Sequence, residues 1–175
     1  REHYGLWAAT AILFNHESEF RGQQFVTKKI VRSVVRIAAG FDDVLSLGNI
    51  YAKRDWGYAG DYMDGVIRVM ERNEPDDYVF ATGKLRSVKD FVNTTFSHVG
   101  IDLDWFGDGI DEIALNRSSQ NLVVKIDKHF YRPGDIKGTC GDASKAKLLL
   151  GWQPRTNLSS IISKMISQEQ DTTLP

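Results

Sequence analysis

The hydrophobic positions along the chain fall first into a short continuous run and then into a helical spacing. The run Ala8–Phe14 is apolar and leads directly into four polar residues, 15–18, which is typical of a strand buried on both faces of a parallel sheet. In residues 26–39 the apolar side chains recur at helical intervals, and Gly40 follows where a left-handed helix end is favoured. The pattern therefore predicts a buried strand followed by an amphipathic helix.

The rest of the chain repeats this alternation. Further helices are predicted at 60–72, 87–99, 142–150 and 158–168, and short strands at 43–47 and 78–82. Ser87 and Asp90 have the spacing of a capping box, and Gly100 and Gly151 mark helix ends. The polar stretch 107–120 is predicted to be an exposed loop. Because helices and strands alternate, the fold class is α/β.

The predicted strands are few and are separated by long stretches without strand character. A parallel sheet built from them alone would have unpaired edges. No strand with a phosphate-binding turn begins the chain, and residues 1–4 have the character of the middle of a helix. We therefore expect the missing strand partners to precede Arg1 in a longer protein.

Composition and charge limit the kinds of molecule that the protein is expected to bind. The 175 residues are 42% hydrophobic, and 22 basic side chains face 23 acidic ones, giving a net charge of −1. This balance argues against binding to nucleic acid or to a membrane surface. Lys28, Arg32 and Arg36 form a basic stripe on the first predicted helix, which favours a solvated face. The single Cys140 excludes an internal disulfide, no apolar run approaches the roughly 20 residues of a membrane span, and no metal-ligand spacing is present. The sequence predicts a cytoplasmic protein without a bound metal.

Three polar motifs are candidates for ligand binding. Residues 15–18, Asn-His-Glu-Ser, follow the first strand, where ligands meet parallel sheets. Residues 53–56, Lys-Arg-Asp-Trp, offer a guanidinium for phosphate and a carboxylate that could hold it. Residues 131–133, Tyr-Arg-Pro, precede Asp135, whose carboxylate could accept from sugar hydroxyls. Each motif also fits an ordinary structure: a turn, a surface ion pair and a proline turn, respectively.

Several motifs of self-sufficient redox enzymes are missing from the sequence. No Gly-x-Gly-x-x-Gly is present, and the fragment at 107–109 does not follow a clear strand. No Tyr is followed four residues later by Lys, and no nucleophile elbow is present. We therefore expect that the chain by itself is not a complete enzyme of this kind.

Taken together, the segments resemble the GDP-mannose 4,6-dehydratase family of the extended short-chain dehydrogenase/reductase superfamily. The specific motifs are Asn-His-Glu-Ser at 15–18 and Arg-Asp-Trp-Gly at 54–57. Other matching segments, in the order and spacing of the family, are 12–14, 25–30, 47–49, 81–83, 87–88, 131–133, 141–142, 145–146 and 150–152. The resemblance covers nearly all of this chain but only about the carboxyl-terminal half of the family's length.

The resemblance implies a fold and a reaction. Residues 1–24 would be the last part of a Rossmann-like, doubly wound parallel sheet, and residues 56–83 would return to it. Residues 25–55 and 84–175 would form a smaller mixed α/β substrate-binding domain. In the family, NADP takes a hydride from C4 of GDP-mannose, water is eliminated across C5 and C6, and the hydride returns to C6. The catalytic Tyr, Lys, Thr and Glu would precede Arg1, and the complete enzyme would be a homo-oligomer.

The resemblance also implies binding roles. Two residues match positions that contact NADP: His16 and Arg21. Six match positions around the GDP-sugar: Asn15, Val26, Lys29, Arg54, Arg132 and Asp135. Arg54 and Arg132 would converge on the diphosphate, and Asp135 stands where the family usually has the longer Glu.

Some positions depart from the family pattern. Glu19 and Phe20 replace a usual Pro-Arg, and Tyr58 stands where His is common. Two other functions stay open at this point. One is a non-catalytic domain that binds GDP-sugars or pairs with an intact dehydratase, and the other is a related NADP-dependent GDP-sugar reductase or epimerase.

Overall fold

The predicted alternation of helices and strands is present in the computed structural model, which describes residues 1–41, 43–131, 134 and 136–173. The helices are α1 (Val26–Ala38), α2 (Ala59–Met70), α3 (Val88–His98), α4 (Ser144–Leu150) and α5 (Leu158–Thr173). The strands are β1 (Thr10–Leu13), β2 (His16–Glu17), β3 (Leu45–Leu47), β4 (Lys53–Asp55), β5 (Gly57–Tyr58), β6 (Asp77–Phe80), β7 (Leu85–Ser87), β8 (Leu103–Phe106), β9 (Ile113–Asn116), β10 (Leu122–Ile126) and β11 (Gly138–Thr139). Short 3₁₀ turns lie at Gly109–Asp111 and Lys128–Phe130. The α/β class is confirmed.

Local capping chemistry sets the helix boundaries. At the start of α3, Asp90 N donates to Ser87 Oγ at 3.0 Å, and Ser87 N donates to Asp90 Oδ2 at 2.9 Å. The capping box is therefore confirmed. Gly40, Gly100 and Gly151 follow α1, α3 and α4 with φ of +85°, +76° and +60°, the left-handed conformation that the sequence predicts.

The first strand is less buried than its apolar sequence predicts. β1 pairs in parallel with β6, with Ile12 opposite Val79. Three of its four residues are exposed, including Ile12 at 49%. The prediction of a strand buried on both faces is wrong for the described chain, because β6 is the one described strand paired with β1 and the described elements do not cover its second face.

A second correction concerns residues 107–120. The predicted exposed loop contains a 3₁₀ turn and β9, the middle strand of the antiparallel part of a four-stranded sheet ordered β3-β10-β9-β8. Ala114 pairs with Trp105 on one side and with Val124 on the other, and it is fully buried. The strand is short and bounded by turn residues, and its partners are the two strands that flank it in sequence, β8 and β10, so its pairing is not visible within the segment itself.

The larger hydrophobic core lies between this sheet and three helices. Apolar side chains of α1, α3 and α5 meet β3 and β10 there, and the fully buried members include Ile30, Val34, Phe91, Phe96, Ile161 and Met165. The basic stripe on α1 is only partly solvated. Lys28 is buried, with Nζ 2.7 Å from Glu169 Oε2 on α5, because its side of α1 packs against that helix. Arg36 pairs with Asp43, and Arg32 is exposed.

A smaller core joins α2, β6 and α4. Its buried members are Tyr62, Val69, Tyr78, Phe80, Ala146 and Trp152. Trp152 Nε1 donates to the Asp61 carbonyl at 2.7 Å, which fixes the end of α4 against α2. None of the helices in the described part of the chain has the length and apolar character needed to cross a membrane.

Candidate functional site

A cavity of about 490 Å³ opens between the start of α1, the turn after β3 and strand β4. Five of the predicted binding residues line it, and they come from separate segments of the chain: Asn15, Arg21, Val26, Lys29 and Arg54. The remaining lining residues are Glu17, Gln24, Phe25, Thr27, Leu47, Gly48, Asn49, Ala52, Trp56, Val88, His129 and Phe130. The fold therefore brings together in space most of the residues expected around the GDP-sugar.

The segment that carries Asn15 is fixed by backbone pairing. Gly57 N donates to the Asn15 carbonyl at 2.9 Å, and β2 pairs in parallel with β5, with His16 opposite Gly57. A Cβ atom on residue 57 would lie 2.5 Å from the Tyr62 ring and hydroxyl. Glycine at 57 therefore permits Tyr62 of α2 to pack closely against β5, the strand that pairs with β2.

The opposite wall depends on a second glycine. A Cβ atom on Gly48 would lie 2.1 Å from the Phe130 carbonyl oxygen, so only glycine allows the 3₁₀ turn at Lys128–Phe130 to close over the cavity. Lys29 Nζ lies 3.6 Å from the centre of the Phe130 ring, a cation–π contact. Partial burial lowers the pKa of Lys29, and the Asp127 carboxylate opposes this shift. A half-desolvated ammonium group interacts more strongly with an incoming anion than one in open water.

Arg54 occupies the middle strand of a small sheet ordered β11-β4-β7. Its Nη1 donates to the carbonyls of Lys53 and Ile136, each at 2.8 Å. These contacts hold the guanidinium beside the cavity. Arg132 and Asp135 lie outside the described residues, so the predicted convergence of Arg54 with Arg132 stays a prediction.

Asp55 does not hold the Arg54 guanidinium, although the two residues are adjacent in the sequence. Successive side chains of a strand point to opposite faces, so Asp55 faces away from Arg54. Its carboxylate is fully buried and accepts hydrogen bonds from Thr82 N at 2.8 Å, Gly83 N at 2.8 Å and Gly141 N at 3.2 Å. The prediction that Asp55 holds the Arg54 guanidinium is wrong, because Asp55 instead ties β4 to the turn after β6 and to the segment after β11.

A second, more open hollow of about 380 Å³ lies beside the first. Its lining residues are Leu13, Phe14, Asn15, His16, Arg21 and Thr139, and they include both predicted cofactor residues. The His16 ring is held by a contact of 2.9 Å between Nδ1 and the Phe14 carbonyl. Asn15 and Arg21 line both hollows and so form part of the wall between them.

Glu17 is a cavity residue that the sequence did not single out. It is only 1% exposed, and its Oε2 accepts from Thr27 Oγ1 at 2.7 Å. Arg21 Nε lies 3.1 Å from the same oxygen, an ion pair whose angles fall outside hydrogen-bond geometry. Burial raises the pKa of Glu17, while Thr27, Arg21 and His16 oppose that shift. Its place inside the Asn-His-Glu-Ser motif was the available signal, but a sequence does not reveal burial.

Two of the departures from the family pattern touch each other. Tyr58 Oη donates to the Glu19 carboxylate, 3.2 Å from Oε1 and 3.3 Å from Oε2. Burial and the adjacent Glu19 carboxylate raise the pKa of Tyr58. The two substitutions thus form one hydrogen-bonded pair.

The electrostatic character of the large cavity follows from its lining. Among the described lining residues, three cations (Arg21, Lys29 and Arg54) face one carboxylate, Glu17, which is itself buried and paired. Phe25, Trp56 and Phe130 add aromatic surface. The arrangement suits an anionic ligand that also carries a planar or apolar group.

Comparison with known protein families agrees with this chemistry. Residues 1–165 match the family model described as GDP-mannose 4,6 dehydratase. The chain is 40% identical over 169 residues to a GDP-mannose 4,6-dehydratase of Sinorhizobium fredii, covering 97% of this chain and 48% of that protein. It is 42% identical over 166 residues to the human GDP-mannose 4,6 dehydratase, covering 95% of this chain and 45% of that protein. The chain therefore spans about half the length of these relatives.

Solved structures share the fold at low sequence identity. RMD from Pseudomonas aeruginosa, complexed with NADPH, superposes with a TM-score of 0.80 at 16% identity, covering 98% of this chain and 51% of RMD. The UDP-glucuronic acid 4-epimerase of Bacillus cereus, in complex with UDP-glucuronic acid and NAD, gives a TM-score of 0.72 at 15% identity, covering 98% and 48% of the two chains. These likenesses establish the Rossmann-like α/β fold, and the match of residues 1–165 shows that the chain belongs to the GDP-mannose 4,6-dehydratase family.

Proposed function

We propose that this chain supplies the sugar-nucleotide-binding part of a GDP-mannose 4,6-dehydratase and that GDP-mannose occupies the 490 Å³ cavity. The observation that carries the proposal is the meeting of Asn15, Lys29 and Arg54 in one cavity, although they lie on three separate segments. A cavity of this volume is in the usual range for small-molecule sites, about 300–1,000 Å³.

The side chains suit the groups of a sugar nucleotide. Arg54 offers a planar guanidinium and Lys29 a partly desolvated ammonium to the two phosphates. Asn15 can both donate and accept, which suits a sugar hydroxyl or a base edge. Val26 and Trp56 provide apolar surface for the rings.

The second hollow suits one edge of a nicotinamide cofactor, and we propose NADP. His16 and Arg21 supply an imidazole and a guanidinium there, and related folds are solved with NADPH or NAD. When bound, such a cofactor supplies hydride transfer. The role of this chain would be to hold one side of the cofactor and to keep the GDP-sugar next to it.

The complete protein would be a cytoplasmic homo-oligomer, with residues 1–24 and 56–83 in its Rossmann-like part. The smaller core supports that division in part: it contains Tyr62, Val69, Tyr78 and Phe80 from residues 56–83, and Ala146 and Trp152 from the last segment pack with them. An exposed apolar stripe on α2 supports association, since Met63, Ile67 and Met70 are 44%, 57% and 68% exposed.

Calorimetric titration of the 175-residue chain with GDP and with GDP-mannose tests the proposal. We expect measurable binding, and Arg54→Ala should weaken it about tenfold or more, because losing a hydrogen bond to a charged group typically costs about 1.5–3 kcal/mol. Lys29→Ala should weaken it in the same direction.

The matched control is Arg86→Ala. Arg86 lies opposite Arg54 on the neighbouring strand β7, is exposed and does not line the cavity. Arg86 carries the same charge as Arg54. The effect of Arg86→Ala on nucleotide affinity therefore measures what the loss of a nearby positive charge does without the loss of a cavity contact. Equal losses from Arg54→Ala and Arg86→Ala, or no binding of either nucleotide to a folded wild-type chain, would overturn the proposal.

A further inference from the structure

Arg21 stands between two hollows, and that position requires an explanation. The side chain is 19% exposed and lines both the large cavity and the open hollow. An arginine side chain has about 2 kcal/mol of rotamer entropy, so a guanidinium fixed at such a boundary must be held there by its surroundings.

Two contacts hold it. The Arg21 Cζ atom lies 3.4 Å from the centre of the Phe25 ring, which places the guanidinium over the aromatic face. Its Nε lies 3.1 Å from Glu17 Oε2. The first contact leaves the group able to rotate over the ring, whereas the second, an ion pair outside hydrogen-bond geometry, draws the Nε side of the guanidinium towards Glu17.

Glu17 is suited to this task because it is itself immobile. The Glu17 side chain is 2% exposed, and Thr27 Oγ1 on α1 donates to its Oε2 at 2.7 Å. The titratable groups that act on this carboxyl are Arg21 and His16, both in its own segment, and the group facing it from α1 is the neutral Thr27 hydroxyl. A buried carboxylate needs a cationic partner. The two groups therefore stabilise each other: the Glu17 carboxylate holds the Arg21 guanidinium, and the guanidinium offsets the cost of burying the carboxylate.

We propose that Glu17 is a positioning residue that holds the Arg21 guanidinium in the wall between the two hollows, so that a single cation serves anionic groups of ligands in both. The identity of the sugar nucleotide rests on the proposed function. The positioning of Arg21 by Glu17 does not depend on that function. Fixing Arg21 in advance lowers the entropic cost of ligand binding.

The first measurement requires no ligand. In the ¹⁵N-labelled 175-residue chain, the Nε–H resonance of Arg21 should be resolved at neutral pH, because burial and the ion pair slow its exchange with water. Glu17→Gln preserves shape and can still accept from Thr27, but it removes the charge. We expect the Arg21 resonance to be lost through faster exchange, and a resonance that stays unchanged would overturn the positioning role.

The second measurement is a double-mutant cycle on GDP affinity. Glu17→Gln should weaken GDP binding about three- to tenfold, the usual cost of immobilising one side chain. In an Arg21→Ala background the same substitution should have no further effect, because Glu17 acts through Arg21. Additive losses would assign Glu17 a purely structural role and overturn the inference.

Glu112→Gln is the control for loss of a buried carboxylate. Glu112 is 2% exposed, pairs with Lys89 and lies outside the cavity lining, so this variant should lose stability without losing GDP affinity. If the wild-type chain binds no GDP while the Arg21 resonance still depends on Glu17, the proposed function fails and the positioning role stands. If GDP binds and depends on Arg54 but not on Glu17, the inference fails and the proposed function stands.

Discussion

At the scale of single residues, Asp55 shows how one buried charge can organise several segments. It is fully buried on β4, and its carboxylate accepts from backbone groups 27, 28 and 86 positions away. A carboxylate with several backbone donors is well satisfied in the interior. Since Arg54 precedes it on the same strand, the anchoring of Asp55 also fixes the position of the cavity guanidinium.

We therefore expect Asp55→Asn to destabilise the chain by about 2–4 kcal/mol. The amide can replace only one acceptor oxygen and presents an NH₂ group to a backbone donor, which leaves buried groups unsatisfied at about 1–3 kcal/mol each. Urea unfolding followed by circular dichroism measures this change.

The control for this prediction is Asp64→Asn on α2. Asp64 forms partly exposed ion pairs with Arg68 and Arg155, and such pairs contribute about 0–1 kcal/mol. Equal destabilisation by the two substitutions would show that Asp55 is not the anchor its contacts describe.

The candidate site was predictable from the sequence only as far as the family motifs reach. Those motifs name Asn15, Lys29 and Arg54, which do meet in one cavity. The Asn-His-Glu-Ser motif contains Glu17 but does not show its role, because that role comes from burial and from the contact with Arg21. The contact between Tyr58 and Glu19 was likewise invisible, since it joins positions 39 residues apart.

At the scale of secondary-structure elements, helices were predicted better than strands for a physical reason. Helix signals are local: apolar periodicity, the Ser87 capping box and the glycines that follow α1, α3 and α4 all lie within the helix or next to it. Strand signals depend on partners that lie outside the strand itself. β9 was missed because its partners are β8 and β10, and the burial of β1 was overestimated because apolar content does not show how many neighbours a strand has.

The cap of α3 gives a test at this scale. Ser87→Ala removes the oxygen that accepts from Asp90 N, and we expect a loss of about 1 kcal/mol in the free energy of unfolding. The measurement is again urea unfolding.

Ser97→Ala, an exposed position in the last turn of the same helix, is the matched control. Alanine has the higher helix propensity there, so this variant should be neutral or slightly more stable. If both substitutions cost the same, the capping box does not stabilise the start of α3.

At the scale of the whole molecule, the cavity lies where separately stabilised parts meet. Its walls come from α1 and β3, which pack in the larger core, and from the segment between β1 and β2, whose neighbours pack in the smaller core. Asp55 and the pairing of β2 with β5 connect these parts. The geometry of the candidate site is therefore a property of the assembled fold, which explains why no single motif predicted it.

The last prediction separates binding from turnover. The cavity gathers its cations within this chain, so GDP should bind and raise the midpoint of thermal unfolding, with a shift that grows as the logarithm of the GDP concentration above Kd. The open hollow encloses a ligand less completely than the large cavity does, so NADP should raise the midpoint of thermal unfolding much less than GDP. The 175 residues contain no Tyr-x-x-x-Lys pair to transfer protons and no glycine-rich turn to seat the cofactor phosphates, and we expect the chain alone to form no 4-keto-6-deoxy sugar nucleotide from GDP-mannose and NADP. Thermal unfolding with each nucleotide and chromatography of the reaction mixture would check both parts, with a full-length family member as the positive control for turnover. Formation of the keto sugar by this chain would show that other residues perform the proton transfers. Equal stabilisation by NADP and GDP would place the cofactor in a site that the two hollows do not describe.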